Sequence, residues 1–164
     1  MKMIVKTLLL SAALFTATPA FADGATPFSK AGKFGVGINY SNFCYVCGSA
    51  KYYLSDKLGV QAAVGLSSIG FAATVDGIYE MPTIWGNDAV SINWNLGGGL
   101  SSGFYKVGSV SGAIVGVAGI AGIGVQLKKF PLEFVQEIRP TFLVIPSDIG
   151  GFYFGYSENL RYWF

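Results

Sequence analysis

FGVGINYS, residues 34–41, alternates a large apolar side chain with a small or polar one at every step. A period of two residues predicts a β-strand with two unlike faces, because successive side chains of a strand point to opposite sides. One face of this strand is bulky and apolar, and the other carries glycine, asparagine and serine. The stretch therefore predicts a strand that separates an apolar environment from a narrow polar one.

The same alternation recurs along the rest of the chain. Eight strands are predicted, at about 34–41, 51–55, 58–67, 73–81, 90–97, 110–128, 132–142 and 152–164. Connections are expected at about 42–49, 68–70, 101–109 and 146–150, with tight turns at 56–57 and 129–131. The phase is least clear in 110–128, where the uncharged run also fits a transmembrane helix. Its glycines and β-branched residues favour a strand.

The contents of the two faces distinguish a membrane barrel from a soluble one. A soluble barrel puts its bulky apolar side chains inside, whereas here the small polar residues fit a narrow interior and the aromatic residues form an outer band. A sheet in lipid must close on itself, because no backbone group can remain unpaired there. Eight strands enclose a space that side chains just fill. The sequence thus predicts an all-β fold, an eight-stranded antiparallel transmembrane β-barrel with up-and-down meander topology.

Composition agrees with this fold and excludes several functions. The 164 residues suffice for one domain; 52% are apolar, only 12% are charged, and 23 are glycine. The chain has no histidine, which removes imidazole bases and histidine-ligated metals. Gly97-Gly98-Gly99 followed by Gly103 lacks the spacing of a dinucleotide-binding loop. We therefore expect no cofactor, no metal site and no enzymatic activity.

Residues 1–22 have the organisation of a secretory signal peptide. Lys2 and Lys6 precede a short apolar run, and Ala20-Phe21-Ala22 fits a cleavage site. The alternative, a membrane anchor, is disfavoured because the run is too short to span a bilayer. Cleavage would leave a periplasmic N-terminal segment, 23–32, and a barrel domain, 33–164. The mature chain would carry nine basic residues (11 minus 2) and nine acidic ones, so charge predicts no nucleic-acid partner.

The end of the chain resembles a known class of proteins. Leu160-Arg161-Tyr162-Trp163-Phe164 resembles the last strand of bacterial outer-membrane barrels, and the mature length is similar to that of the small OmpA/OmpX-like barrels. The resemblance implies the outer membrane of a Gram-negative bacterium, with membrane lipid as surroundings. It also implies that the barrel-assembly machinery recognises Leu160, Tyr162 and Phe164. It is silent on activity.

The inward phase collects a set of charged residues. Four bases and four acids are predicted to face one another: Lys51, Asp76, Glu80, Lys128, Glu133, Glu137, Arg139 and Arg161. Because unpaired charges are costly in a narrow interior, a balanced set predicts a paired network that plugs the lumen. The alternative is a gate or selectivity lining of a pore.

Two polar residues fall on the predicted lipid face. Gln136 and Glu158 share the phase of the apolar residues in the last two strands, as near diagonal neighbours. A β-bulge could turn Glu158 inward. Otherwise the two residues form a polar patch where a second copy or another protein docks.

The two cysteines, Cys44 and Cys47, lie in the first predicted outer loop. In an exported chain a local disulfide is favoured. Free thiols, an intermolecular bond and a metal site are the alternatives, and two thiolates without histidine make a poor zinc site.

For function, the sequence favours a non-enzymatic structural or interaction protein with a plugged interior. The alternative is a narrow pore for ions or small solutes. A membrane lipase, acyltransferase or protease is disfavoured, because the chain lacks histidine.

Overall fold

A computed structural model describes residues 28–67, 70–107, 109–145 and 151–164. The predicted signal peptide, 1–22, and residues 23–27 lie outside the described residues. The strands are β1 (Phe34–Ser41), β2 (Val46–Tyr53), β3 (Leu58–Ser67), β4 (Gly70–Glu80), β5 (Trp85–Gly86), β6 (Val90–Val107), β7 (Val110–Leu127), β8 (Leu132–Ile145) and β9 (Phe152–Trp163). Within the described ranges, no helix is long and apolar enough to cross a membrane.

The strands close into an antiparallel barrel. Each wall strand pairs with its neighbour in the chain, β4 pairs with β6, and β1 pairs with β9 to complete the ring. β5 contributes only two residues, which pair with β6 at one end of the barrel, so the wall has eight strands. The predicted eight-stranded meander is confirmed.

The two faces of the wall follow the alternation of the sequence. Along β1, the four large residues Phe34, Val36, Ile38 and Tyr40 are exposed on the outside. In β7, Val117, Ile123 and Leu127 are exposed on the outside, and Gln126 is buried inside. Because the side-chain period is two, one register fixes the face of every residue in a strand.

Parts of two predicted connections belong to strands. β2 begins at Val46, and β6 continues through the predicted 101–109 connection to Val107. Glycine and serine have low strand propensity, which hides this part of β6 in the sequence. Pairing on both sides, Ser101 with Thr74 of β4 and with Gly116 of β7, holds it in the sheet. The helix alternative for 110–127 is wrong, because these residues form β7.

The barrel has two chemically distinct ends. At the terminal end, where β1 begins and β9 ends, Trp163 stacks between Phe28 and Tyr53 with ring centroids 5.9 Å and 5.2 Å away. At the opposite end, Phe43 packs on an inward cluster of small buried residues. The cluster consists of Cys44, Cys47, Ala63 and Ala72. Apolar groups thus lie above and below a polar centre.

Candidate functional site

The terminal half of the lumen holds a cluster of ionic side chains that cross the barrel. Lys51 of β2 forms an ion pair with Glu80 of β4, and Tyr53 donates a hydrogen bond of 2.8 Å to the same carboxylate. Lys51 Nζ is also 4.0 Å from a carboxylate oxygen of Glu133 on β8. Arg161 of β9 donates to Glu133 at 3.2 Å. All of these side chains are buried, so each charge depends on its protein partners.

A second ionic cluster lies closer to the opposite end. Arg139 donates two hydrogen bonds of 2.8 Å to the two oxygens of Asp76, a fork-to-fork arrangement that fixes both side chains. Glu137 lies 3.7 Å from the same guanidinium and accepts a 2.8 Å hydrogen bond from Ser157. Position 99, across the sheet from Asp76, is glycine, and a Cβ there would collide with the carboxylate. A small residue on β6 therefore makes room for the ion pair.

Gln61 of β3 joins the two clusters. Its amide nitrogen donates to Glu137 at 2.9 Å and to Asp76 at 3.2 Å, and its oxygen accepts a 2.9 Å hydrogen bond from Arg161. The result is one continuous network from Tyr53 at the terminal end to Arg139. Gln61 is not among the predicted network residues, although its inward phase in the sequence is the signal that could have identified it.

Lys128 does not belong to this network, contrary to the sequence prediction. Its phase along β7 points inward, but β7 ends at Leu127, and Lys128 is exposed in the following turn. The other seven predicted residues are buried inside. In the described interior three bases therefore face four acids, not four of each. Neutral side chains add hydrogen bonds to these carboxylates: Tyr53 donates to Glu80, Gln126 to Glu133, and Gln61 and Ser157 to Glu137.

Little space remains between these side chains. A polar cavity of about 20 Å³ lies in the half of the lumen beside Arg139. That is about the space that one or two water molecules need. Phe43 and Tyr153 border this cavity on the side of the opposite end.

The two polar residues predicted for the lipid face lie on the outer face of the barrel, and β8 and β9 pair there without a β-bulge. Gln136 of β8 and Glu158 of β9 lie directly opposite each other, and the amide of Gln136 donates a 3.3 Å hydrogen bond to Glu158. The sequence predicts near diagonal neighbours, but in the observed register Leu132 pairs with Tyr162, which places Gln136 directly opposite Glu158. Glu158 keeps the outward phase of Tyr156 and is half-buried, so the inward alternative is wrong.

Cys44 and Cys47 are bonded to each other, with their Cα atoms 6.0 Å apart. Cys47 is an inward residue of β2 and Cys44 precedes the strand, so the bond lies inside the barrel rather than in an exposed loop. It ties the β1–β2 connection, including Phe43, over the lumen.

The predicted assembly residues share the outer face of the last strand. Leu160 and Tyr162 of β9, with Phe164 just after it, are exposed. The rings of Tyr162 and Phe164 are 5.0 Å apart. As for metals, the described residues contain no group of three or more histidine, cysteine, aspartate or glutamate side chains that could hold an ion.

The barrel has a closed wall, an apolar outer face and an ionic interior. Together these features define the fold of the small eight-stranded outer-membrane barrels. Among solved structures, the N-terminal β-barrel domain of Pseudomonas aeruginosa OprF is similar, with a TM-score of 0.52 and 13% identity, over 80% of this chain and 96% of that one. Ail, the attachment invasion locus protein of Yersinia pestis, matches at a TM-score of 0.36 and 15% identity, over 82% of this chain and 99% of that one. No protein-family profile and no curated protein matches the sequence.

Proposed function

We propose that this chain is an integral outer-membrane protein whose plugged, charge-paired interior serves a non-enzymatic structural or interaction role. The apolar outer face suits a bilayer, and the likeness of its fold to the OprF barrel domain supports the outer membrane of a Gram-negative bacterium. With the N-terminal segment in the periplasm, the terminal end of the barrel faces the periplasm and the opposite end faces the outside of the cell. Cleavage after Ala22 would release the signal peptide, and N-terminal sequencing of the membrane-extracted protein should then begin at Asp23.

The observation that carries the proposal is the ionic network across the lumen. Side chains from β2, β3, β4, β8 and β9 are joined by hydrogen bonds of about 3 Å, and the network occupies the interior with one small cavity beside it. A continuous water path would have to break several of these charge-assisted bonds, each of which is costly to leave unmade in a dry interior. These contacts support the proposal that the network plugs the lumen.

Planar-bilayer conductance tests the plug directly. The refolded mature chain, confirmed as a closed barrel by its heat-dependent gel mobility, should give no discrete current steps. A conducting porin measured in parallel verifies the bilayer. Reproducible single-channel steps from the folded chain would contradict the plug and favour the alternative function, a narrow pore for ions or small solutes.

The pair of Gln136 and Glu158 is the proposed contact for a protein partner or a second copy of the chain. An acid facing lipid is unfavourable unless a polar group covers it. A photoreactive residue at position 158 should crosslink to protein in intact membranes. The matched control is position 75, because Val75 faces outward from β4 on the other side of the barrel. Lipid adducts alone at both positions would remove the proposed contact.

Leu160, Tyr162 and Phe164 are the proposed signal for the barrel-assembly machinery. Phe164 is exposed beyond the end of β9, so Phe164→Ala removes outer-face surface without touching the ionic network. We expect slower assembly in cells and unchanged heat-dependent mobility of the molecules that do fold. Equal rates of assembly for the variant and the parent chain would refute the role of Phe164.

A further inference from the structure

The opposite end of the lumen, which is the outer end in the proposed orientation, contains an apolar cavity that is distinct from the ionic network. Its volume is about 250 Å³. Phe43 forms its floor, and Tyr105, Ile114, Leu143 and Tyr153 are in its walls. None of the described residues that line it is charged. For scale, an engineered apolar cavity of about 150 Å³ binds benzene.

Unequal strand lengths build this cavity. β6 and β7 have 18 residues each and β8 has 14, whereas β1 and β2 have eight each. The long strands therefore rise on one side of the outer end, and the short β1–β2 hairpin supplies Phe43 on the other. Phe43 also borders the polar cavity below, so its ring separates the two spaces.

The inward positions change character at this level. Deeper in the barrel they are polar, as Ser49, Gln61 and Asp76 illustrate. At the outer end they become Tyr105, Ile114 and other apolar residues, which are only half-buried. An apolar inner wall left open toward water is the surface that a ligand would cover.

Two glycines allow close packing around this space. Tyr105 faces Gly112 across the β6–β7 ladder, and a Cβ at position 112 would come within 2.8 Å of the tyrosine ring. Gly103 borders the cavity beside Phe43, where a Cβ would come within 2.7 Å of a backbone oxygen. Larger residues at these positions would force the walls to shift.

We propose that this cavity binds the hydrocarbon portion of an uncharged or weakly polar molecule. Aromatic and branched aliphatic walls favour a hydrocarbon, and the lack of charge among the described lining residues disfavours an ionic ligand. Two polar side chains at its edge already have partners: the side-chain oxygen of Asn42 accepts a 3.0 Å hydrogen bond from the backbone of Tyr156, and Ser67 also has a partner. This binding does not depend on whether the lumen conducts.

The test is a titration with N-phenyl-1-naphthylamine, an uncharged probe that fluoresces in apolar surroundings. Refolded protein in detergent should show a saturable signal above that of protein-free micelles, with one site per chain, and 1-decanol should displace it. The matched variants are Leu143→Gln, which makes the cavity wall polar, and Val144→Gln, the neighbouring exposed residue. We expect binding to weaken at least about tenfold in the first and to stay within about twofold in the second.

A variant that fills the cavity separates loss of probe binding from loss of folding. Ile114→Trp occupies the cavity without adding charge, and its folding is checked by heat-dependent gel mobility. It should abolish the saturable signal in folded protein. Probe binding by folded Ile114→Trp at parental affinity, equal effects of Leu143→Gln and Val144→Gln, or no saturable signal in the parent chain would each overturn the proposal.

Two sources could provide the hydrocarbon, a free small molecule or the tail of a membrane lipid. Native mass spectrometry of protein gently extracted from membranes separates them. A lipid mass retained by the parent chain and lost in Ile114→Trp identifies a lipid tail. An adduct that forms only when decanol is added, and only in the parent chain, identifies a free molecule. Absence of both adducts would overturn the proposal.

Discussion

The barrel carries the same chemical pair on both of its faces. Inside, Gln126 of β7 lies opposite Glu133 of β8 and donates a 3.1 Å hydrogen bond to its carboxylate. Outside, Gln136 of β8 lies opposite Glu158 of β9 and donates a 3.3 Å hydrogen bond. The inner carboxylate also has Arg161 at 3.2 Å and Lys51 at 4.0 Å. Among the ion pairs of the described residues, none includes Glu158.

This difference indicates that a basic partner, rather than the amide, determines whether the charge of a carboxylate is compensated within this barrel. A glutamine compensates part of the lost hydration of a carboxylate but none of its charge. The inner glutamate is therefore integrated into the fold, where removing its bases would leave a buried charge. Among the described residues the outer glutamate has no comparable compensation, so it is the group that a partner molecule would cover.

The largest expected effect comes from taking the bases away from the inner pair. Arg161→Met leaves Glu133 with the hydrogen bond from Gln126 and with Lys51, 4.0 Å away, as its basic partner, and it breaks the hydrogen bonds of Arg161 to Ser49 and Gln61. Removing one partner of a buried ion pair costs about 3–5 kcal/mol. Urea unfolding of the refolded barrel in lipid vesicles measures the loss.

Lys128→Met is the matched control, because it removes the same charge from an exposed turn. It should change the free energy of unfolding by less than about 0.5 kcal/mol. Equal destabilisation by the two variants would mean that the ionic network contributes nothing specific to stability.

The disulfide is an uncharged cross-link in the same lumen. Its contribution to the free energy of unfolding can be compared with that of the ionic network. Cys44→Ala/Cys47→Ala opens a loop of four residues, for which the loss of chain constraint corresponds to about 2 kcal/mol. Unfolding of the parent chain with and without reductant should reproduce the difference. Alkylation of both thiols in the parent chain without prior reduction would show that the bond is absent.

A smaller effect, of opposite sign, is expected on the outer face. Gln136→Leu/Glu158→Leu replaces both polar partners by apolar ones, which leaves no unpaired group and should stabilise the isolated barrel in lipid by about 1 kcal/mol. The same variant should lose any crosslink that position 158 forms with protein. Destabilisation of the isolated barrel would mean that this face is not surrounded by lipid.

Most of the fold could be predicted from the sequence, because a period of two residues fixes the face of each side chain wherever the strand is known. Seven of the eight predicted interior charges follow from that phase. Lys128 fails because phase does not say where a strand ends, and β7 stops one residue earlier. The extension of β6 through Gly103 was not predictable from propensity, since pairing with β4 and β7 holds it in place.

Relations between strands were harder to predict than faces. The network connects Gln61 of β3 to Arg161 of β9, and which inward residues meet across the lumen depends on the stagger of the whole barrel. For the same reason Gln136 and Glu158 were expected to be diagonal rather than directly opposite. The apolar cavity at the outer end depends on strand lengths that the pattern of alternation does not define.

The measurement that tests the central claim most directly is the pair of Glu133→Gln and Glu158→Gln, unfolded by urea in the same vesicles. The two substitutions are nearly isosteric, and each removes one negative charge from a cross-strand pair with glutamine. The account predicts opposite signs: the inner variant loses about 2 kcal/mol because Arg161 and Lys51 lose their shared carboxylate, and the outer variant gains up to about 1 kcal/mol. Effects of the same sign and size would contradict it.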